Sequence, residues 1–380
     1  MKTFVYRLYP SKSQARLLAS TVETCRRVYN DCLAERKEAW EQERRTVTKV
    51  EQLRHVKTIK ATNPHAKTIH SHVLQVTVAD LDKAFTAFFR RVKVGEMPGY
   101  PRFKGRNRFD SFGLKEYGNG WKLDGRRLRL SGIGRVAVRW HRPLEGIPKT
   151  VRIRCRPDGW YACITCEAPT QPLPPTGRAV GVDVGVSALI TTSDGAKVPH
   201  PAWYRSEQRK LRVLQRRVAR RAKGGANRRK AIQAVARHHQ HISNRRADFL
   251  DKLANNLIQD YDLIAVENLK ITNMVRNRHL AKSILDGGWG YFQQRLRDKA
   301  AEAGRVIAET DPAYTSQTCS GCGQRFEERQ ELSVRWVTCP CGLSMDRDHN
   351  AARNILIRAG RARWEPKLAM AGVSQEAVGL

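Results

Sequence analysis

Three acidic residues stand where the surrounding sequence would let their carboxylates meet. Asp183 lies within an apolar stretch typical of a strand, Glu267 ends a second such stretch, and Asp348 opens a predicted helix. An aspartate in an apolar strand costs free energy unless it is paired or bound to a metal. Oxygen ligands suit Mg²⁺, and Mg²⁺ ions about 3.5 to 4 Å apart activate water and stabilise a leaving 3′ oxygen in phosphodiester hydrolysis. The acids therefore predict a magnesium-dependent hydrolytic site.

Each acid also has a plainer interpretation. Glu267 could merely begin a loop, and Asp348 could be only the N-cap of its helix, a position that aspartate favours. Asp346, two residues earlier, competes with Asp348 for the metal role. The order of elements favours the joint interpretation, because strand, hairpin, strand, helix and strand is the order of a ribonuclease-H-like fold. In such a sheet, strands distant in sequence become neighbours.

Cysteines just ahead of the third acid suit a second metal. Two pairs lie close together in sequence, and four thiolates are the ligand set of a structural, tetrahedral zinc site. The four residues are Cys319, Cys322, Cys339 and Cys341.

The other cysteines favour structural roles. Cys163 and Cys166 have the spacing of a chelating pair but lie on a predicted strand, where residues three apart face opposite sides. Cys25 and Cys32 recur at helical spacing, so core packing is the better interpretation. In a reducing interior such thiols pack, bind metal or react rather than form disulfides.

The chain carries far more positive charge than solubility requires. Its 380 residues hold 70 lysines and arginines against 36 aspartates and glutamates, a net charge of +34 at pH 7. This excess runs along the whole chain and predicts a long polyanion, nucleic acid, as the partner. No apolar run approaches the roughly 20 residues that span a bilayer, and Met1-Lys2-Thr3 leads into strand-like alternation rather than a signal peptide. We therefore expect no membrane partner and a cytoplasmic protein.

A basic segment near the middle of the chain is the strongest candidate for nucleic-acid contact. Between residues 209 and 230 it has no acidic residue, whereas a merely solvated face normally mixes charges. The candidate contact residues are Arg209, Lys210, Arg216, Arg217, Arg220, Arg221, Arg228, Arg229 and Lys230.

Hydrophobic periodicity predicts a mixed α/β, bilobed protein. Residues 1–10 and 96–170 alternate with period two between glycine-rich turns and predict a β-rich domain. Residues 11–95 carry helical stripes and predict a helical insert in that domain. A proline-rich linker at 171–178 then ends the first lobe.

The second lobe combines strands with a basic helical stretch over about 203 to 258. We expect its ribonuclease-H-like domain to comprise residues 179–318 and 342–358, interrupted by a zinc-binding insert at 319–341. Patterning weakens afterwards, so the tail, 359–380, is expected to be partly disordered.

Several motifs, taken in order, resemble one known family. They are Gly181-Val182-Asp183-Val184-Gly185, Val266-Glu267-Asn268-Leu269, Thr315-Ser316-Gln317-Thr318-Cys319-Ser320-Gly321-Cys322-Gly323, Asp346-Arg347-Asp348-His349-Asn350-Ala351-Ala352 and Tyr100-Pro101-Arg102-Phe103-Lys104. From the first strand to about residue 358, the chain resembles TnpB, the insertion-sequence-encoded RNA-guided DNA nuclease related to compact type V CRISPR effectors.

The resemblance implies a RuvC-like nuclease domain with catalytic acids at Asp183, Glu267 and Asp348, together with a wedge-like β domain that carries a helical recognition insert. The implied partners are a guide RNA derived from the element's own end and double-stranded target DNA. Base pairing would choose the target, while the protein reads a short flanking motif. Gln75 matches a position that contacts this motif in a related protein. A prokaryotic protein that is nucleoid-associated when bound to DNA is also implied.

The chain departs from the family at its second cysteine pair. Members commonly show two Cys-x-x-Cys knuckles, whereas Cys339-Pro340-Cys341 is one residue short, with Thr338 where the usual first cysteine would align. Four thiolates remain, so structural Zn²⁺ stays the expectation.

The leading hypothesis is an RNA-guided, Mg²⁺-dependent DNA endonuclease of a transposable element. A nuclease-inactive, RNA-guided DNA-binding repressor is the first alternative, although the complete set of acids argues against it. A transposase performing strand transfer on the same general fold is the second. A structural RNA-binding protein with a zinc ribbon would leave the acids unexplained.

Overall fold

The chain divides after Pro169 into two units, each with its own hydrophobic core. This computed structural model describes residues 1–326 and 335–360, so the predicted tail, 359–380, lies outside the described residues from 361 onward. None of the helices within those ranges combines the length and the apolar character needed to cross a membrane.

The first unit, Met1–Pro169, is built on a seven-stranded antiparallel sheet and four α-helices. In chain order its elements are β1 (Lys2–Tyr9), α1 (Lys12–Glu43), α2 (Lys49–Thr62), α3 (Pro64–Lys67), α4 (Ser71–Lys93), β2 (Ser111–Leu114), β3 (Trp121–Asp124), β4 (Arg127–Leu130), β5 (Gly134–Arg139), β6 (Ile147–Arg156) and β7 (Gly159–Glu167). Across the sheet the strands run β2-β6-β7-β1-β5-β4-β3. Phe4, Tyr6 and Leu8 of β1 alternate into the core, as the period of two predicts.

The cysteines of this unit are structural. Helix α1 begins after a capping box at Ser11 and buries Cys25 and Cys32, which confirms the core role predicted for them. On β7, Cys163 is half-buried and Cys166 is buried. These two side chains therefore face opposite sides of the strand, as predicted, and do not form a chelating pair.

Hydrophobic periodicity does not predict two helices of the first unit, α2 and α3. Their start signals are polar, since Thr48 and Glu51 form a capping box and Asn63 caps α3 ahead of Pro64. Val56 is the single apolar side chain that α2 buries. Too few buried apolar residues mark these helices for periodicity to detect them.

The second unit, from Thr170 onward, contains a five-stranded mixed sheet, several helices and a two-stranded hairpin. In chain order its elements are β8 (Ala179–Val184), β9 (Ala188–Thr192), β10 (Lys197–Pro199), α5 (Trp203–Ala219), α6 (Ala226–Asp260), β11 (Leu263–Glu267), α7 (Ile271–Met274), α8 (Ala281–Gly287), α9 (Trp289–Ala303), β12 (Val306–Thr310), β13 (Trp336–Thr338), β14 (Ser344–Asp346) and α10 (Arg347–Arg358). The large sheet runs β10-β9-β8-β11-β12. Strands β8, β9 and β10 form an antiparallel meander, and β11 and β12 run parallel to β8. This is the expected ribonuclease-H-like order.

Helices pack on both faces of this sheet. On one face, Val182 and Val266 belong to a core shared with α5, α6 and α9. On the other face, Leu263 and Ala265 pack against α10. The apolar stretches that contain the candidate acids are therefore buried between two helical layers.

The basic helical stretch forms a hairpin of two helices, α5 and α6. Gly224 lies in the turn between them with a φ of 82°, a conformation that glycine tolerates. Arg228 donates hydrogen bonds to the carbonyl oxygens of Val218 and Arg221 at 2.8 and 3.0 Å. This guanidinium closes the turn.

The proline-rich segment predicted as a linker is tied to the second unit. Asp262, just ahead of β11, accepts hydrogen bonds from the backbone N–H groups of Thr176 and Gly177. Arg305, just ahead of β12, forms a buried ion pair with Asp262 and donates to the carbonyl oxygen of Pro174. Side chains at the starts of two strands therefore hold the chain that enters β8.

Candidate active site and metal centre

Asp183 and Glu267 lie side by side near the ends of two parallel strands. The register pairs Val182 of β8 with Val266 of β11, so Asp183 and Glu267 are the next residues along each strand. Because side chains alternate along a strand, both carboxylates turn to the face opposite the two valines. That face is the one that α10 covers.

A glycine lets the helix that carries Asp348 approach β8 closely. A methyl group on Gly181 would collide with the carbonyl oxygen of Ala352. Asp183 lies two residues beyond Gly181, about 6.6 Å along the strand, and Asp348 lies four residues before Ala352, about 6 Å along the helix. Ala179 packs with the C-terminal part of α10, so strand and helix run in opposite directions. The close packing of α10 on β8 therefore brings Asp183 and Asp348 near each other.

The three acids interact electrostatically. Burial raises the pKa of Asp183 well above its ordinary value, and the negative charges of Glu267 and Asp348 raise it further, while the guanidinium of Arg347 opposes them. Oxygen donors that disfavour one another's ionisation in this way are stabilised by a divalent cation. The donor set therefore fits the hard-cation preference of magnesium.

Glu267 is buried, with 9% of its surface exposed, and two neighbours hold it. Thr315 donates its hydroxyl hydrogen to Glu267 Oε1, and Gln293 of α9 donates to the Glu267 backbone carbonyl at 3.0 Å. Burial raises the pKa of Glu267, and the hydrogen bond from Thr315 opposes that rise. Sequence reasoning missed both neighbours. The motif Thr315-Ser316-Gln317-Thr318-Cys319, one of those that resemble the family, carries a signal for Thr315, whereas nothing in the sequence marks Gln293.

Asp346, rather than Asp348, is the N-cap of α10. Its carboxylate accepts hydrogen bonds from the backbone N–H groups of Asp348 and His349 at 3.0 and 3.1 Å and pairs with Lys197 at 2.7 Å. Burial raises the pKa of Asp346, but Lys197 and the two N–H donors outweigh burial and leave the pKa below its ordinary value. The interpretation of Asp348 as a cap is therefore wrong.

The four cysteines form a tight cluster in the second unit. Within residues 1–326 and 335–360, no other group of three or more histidine, cysteine or acidic side chains is gathered closely enough to hold a metal, so the three acids are less closely grouped. The four sulfur atoms lie within 4.8 Å of one another, and the Sγ atoms are 3.6 Å apart in the pairs Cys319–Cys341 and Cys322–Cys339. Zn–S bonds of about 2.3 Å in a tetrahedron place sulfur atoms about 3.8 Å apart. The cluster therefore suggests structural zinc, and the shortened second pair supplies both of its thiols.

Two asparagines join the cysteine loop to α10. Asn350 donates to the carbonyl oxygen of Thr318 and accepts from the backbone N–H of Ser320. Asn354 donates to the carbonyl oxygens of Thr315 and Thr318. On the other side of the cluster, β14 leads directly into α10. The cysteine cluster thus supports the helix that carries the third acid.

Comparisons with known proteins identify the family. Family models described as "Helix-turn-helix domain", "Probable transposase" and "Cas12f1-like, TNB domain" match residues 1–45, 162–278 and 289–355. A relative from Streptomyces pristinaespiralis, provisionally named RNA-guided DNA endonuclease, is 37% identical over 365 residues that cover 93% of this chain and 88% of that protein. The chain belongs to the TnpB family. The resemblance inferred from its motifs is thereby confirmed.

Further comparisons agree with TnpB membership. InsQ of Escherichia coli K12, also provisionally named RNA-guided DNA endonuclease, is 31% identical, and the match covers 95% of this chain and 93% of that protein. A cryo-EM structure of a Cas12f1–sgRNA–target DNA complex superposes with a TM-score of 0.59 at 13% identity, covering 90% of this chain and 82% of that one. At such low identity, this likeness concerns the fold alone.

Most nucleic-acid contacts predicted for this TnpB chain are exposed on the α5–α6 hairpin. Four of them line a shallow groove beside Val213. The half-buried Arg228 differs, because its guanidinium closes the turn. The exposed residues are Arg209, Lys210, Arg216, Arg217, Arg220, Arg221, Arg229 and Lys230.

Gln75, the residue predicted to contact the flanking motif, is half-buried on α4. Its side-chain oxygen accepts a hydrogen bond from Lys115 Nζ at 3.1 Å. Gln75 is therefore less exposed than an ordinary surface residue of a helix, and its contact with the flanking motif stays a prediction. A lysine beside an amide is a pair that can contact both a phosphate and a base edge.

Proposed function

We propose that this chain is an RNA-guided DNA endonuclease of a transposable element, which hydrolyses phosphodiester bonds in a RuvC-type site. The observation that carries the proposal is the strand register that sets Asp183 beside Glu267, under the helix that begins near Asp348. The names of the two long relatives support the reaction class. The net charge of +34 supports partners that are long polyanions.

The acidic residues have different roles in this proposal. Asp183, Glu267 and Asp348 would hold magnesium, which when bound activates water and stabilises the leaving 3′ oxygen. The Thr315 hydroxyl favours the ionised form of Glu267 and fixes its orientation. Asp346 holds the first turn of α10, so that Asp348 keeps its place.

The four cysteines would hold zinc with a structural task. Their cluster sits between the segment that carries Thr315 and the hairpin that enters α10. A bound zinc ion would therefore hold the Thr315 segment and the start of α10 at a fixed distance from each other.

The partners in this proposal are a guide RNA from the element's own end and double-stranded target DNA with a short flanking motif. Exposed cations on α5 and α6 would contact phosphates. Gln75 and Lys115 would contact the flanking motif. Base pairing with the guide would then supply sequence choice.

The test begins with the RNA that copurifies with the full chain. We expect a defined RNA that ends in a variable guide, and the purified complex should cut plasmids that carry the matching target beside one flanking motif. Cleavage should require Mg²⁺ and be lost in Asp183→Asn, Glu267→Gln and Asp348→Asn. Asp346→Asn is the matched control, because asparagine also caps helices. Random cellular RNA, or full cleavage by Asp183→Asn, would contradict the proposal.

Strand transfer is the second candidate, because one matching family model is described as "Probable transposase". The same plasmid assay separates the candidates. Joining of a free 3′ end to target DNA would indicate a transposase, and target binding without any break would indicate a repressor.

A further inference from the structure

Aromatic and basic side chains gather on one exposed surface of the first unit, formed by the end of α4 and the loop that follows. We call residues 88–108 the α4 surface. It combines four aromatic rings with seven lysines and arginines and a single acid, Glu96. The candidate active site uses none of these residues.

The rings of the α4 surface are unusually exposed for their size. Phe89 is 60% exposed, Phe103 53% and Tyr100 45%. Phe88 packs edge-on against Phe89 and Tyr100, with ring centroids 5.1 and 5.4 Å apart. Phe88, Phe89 and Tyr100 therefore form a contiguous and partly exposed apolar patch, with Phe103 exposed three residues beyond Tyr100, and such patches mark binding surfaces.

The backbone that presents Phe103 is held in place. Asn30 of α1 donates to the carbonyl oxygen of Lys104 at 3.0 Å and accepts from its backbone N–H at 2.8 Å. Arg26 donates to the same carbonyl at 2.8 Å, and Pro101 is buried. Because the loop is already ordered, a partner would bind the exposed ring without first fixing its backbone.

The charge around the rings selects the partner. The guanidinium of Arg91 lies against Gly99, next to Tyr100, and Glu96 is the single acid in the segment. An apolar protein partner would have to desolvate this cationic rim, whereas flat aromatic bases on an anionic backbone match both features. The cations are Arg90, Arg91, Lys93, Arg102, Lys104, Arg106 and Arg108.

We propose that the α4 surface binds unpaired nucleotides, with bases stacked on Phe89 and Phe103 and phosphates contacted by the surrounding lysines and arginines. RNA and DNA share this chemistry. The inference rests on the proposed function only in that the chain handles nucleic acid, since the candidate active site contains none of these residues.

Ultraviolet crosslinking tests the location and the source. The full chain with its copurifying RNA is irradiated alone, and again after addition of guide-matched target DNA, and peptides spanning residues 85–108 are examined by mass spectrometry. A ribonucleotide adduct on these peptides identifies the RNA as the ligand. A deoxyribonucleotide adduct that needs target identifies the DNA. Absence of both adducts overturns the proposal, whether or not the complex cleaves DNA.

Leucine substitutions separate stacking from simple apolar contact. In Phe89→Leu/Phe103→Leu both side chains stay apolar but lose the aromatic face, and neither ring belongs to the hydrophobic core. We expect the affinity for the nucleic acid identified by crosslinking to fall about 5-fold or more per ring. Trp40→Leu, which removes an exposed aromatic ring of α1 outside the α4 surface, is the matched control and should bind normally.

Salt dependence and self-association complete the test. The leucine variant should keep the wild-type salt slope, whereas Arg90→Gln/Arg102→Gln should lower it by about 0.7 per lost phosphate contact on a single strand. Unchanged affinity in the leucine variant would overturn the proposal. So would a wild-type dimer in light scattering that Phe89→Ala/Phe103→Ala dissociates, because a second copy would then be the occupant.

Discussion

Thr315 donates its hydroxyl hydrogen to Glu267 Oε1. The same threonine lies four residues ahead of Cys319, and its backbone carbonyl accepts a hydrogen bond from Asn354 of α10. One buried residue thus contacts a candidate catalytic acid and the helix that carries another. It follows that the acidic site and the cysteine cluster are mechanically connected through this segment.

Replacing Thr315 should therefore impair cleavage. Thr315→Val removes the donor with little change in shape, and a lost hydrogen bond to a charged group costs about 1.5 to 3 kcal/mol. We expect target cleavage to slow by about 10-fold or more. Thr315→Ser keeps the hydroxyl and should stay close to wild type in the same rate measurement. Equal rates for the two variants would refute the role assigned to this hydrogen bond.

The raised pKa of Asp183 predicts a pH-dependent stability in metal-free protein. The folded state retains a proton that the unfolded state has already lost, so stability declines as pH rises from the ordinary aspartate pKa toward the raised one. Asp183→Asn cannot ionise and should lack this decline. In EDTA, the Tm of Asp183→Asn should thus gain on that of wild type as pH increases. A Tm difference that is constant with pH would contradict the prediction.

Magnesium should reverse that difference. At neutral pH the ion is expected to stabilise the ionised wild-type site, because a ligand that binds only the folded state raises stability. Thermal melts with and without Mg²⁺ should show a larger rise in Tm for wild type than for Asp183→Asn.

Gly181 should not tolerate even a methyl group. In Gly181→Ala the added carbon meets the carbonyl oxygen of Ala352, so α10 must move away from β8, at a cost of about 1 to 3 kcal/mol. We expect a lower Tm and weaker cleavage. Gly105→Ala is the matched control for the Tm, since its added carbon would enter open space. A Gly181→Ala protein with wild-type melting would show that the helix is not packed as described.

Loss of a single cluster cysteine should remove zinc and loosen α10. Cys339→Ser should contain less than the one zinc ion per chain expected of wild type, as measured by mass spectrometry of the metal. Its Tm and cleavage should fall as well, because the hairpin that enters α10 loses its anchor. Cys163→Ser, on β7 and outside the cluster, should keep its zinc. Full zinc in Cys339→Ser would exclude this thiol as a ligand.

The placement of Asp183 and Glu267 could be predicted because it depends on features that a sequence displays. Asp183 lies within one apolar stretch and Glu267 ends another, and the order of strands makes those stretches neighbours. The role of Asp346 could not be decided in this way. Both aspartates of Asp346-Arg347-Asp348 suit an N-cap, and only the backbone of α10 distinguishes them.

The neighbours of Glu267 could not be predicted because they are distant from it in the sequence. Thr315 reaches Glu267 across 48 positions, and Gln293 reaches it across 26. The periodicity of a helix or a strand relates only residues that are close in sequence, so it does not predict such pairs. Helix α2 was missed for a different reason, since it buries a single apolar side chain, Val56, and its capping box is the stronger signal.

The continuity of β14 with α10 has a consequence for how the protein matures. The hairpin ends at Asp346 and the helix begins at Arg347, while one cysteine pair precedes the hairpin and the other lies in its turn. A nascent chain therefore cannot set Asp348 in place until both cysteine pairs have been synthesised and have met. If zinc joins them, zinc supply in the cell would control how many molecules become competent, rather than how fast each one turns over.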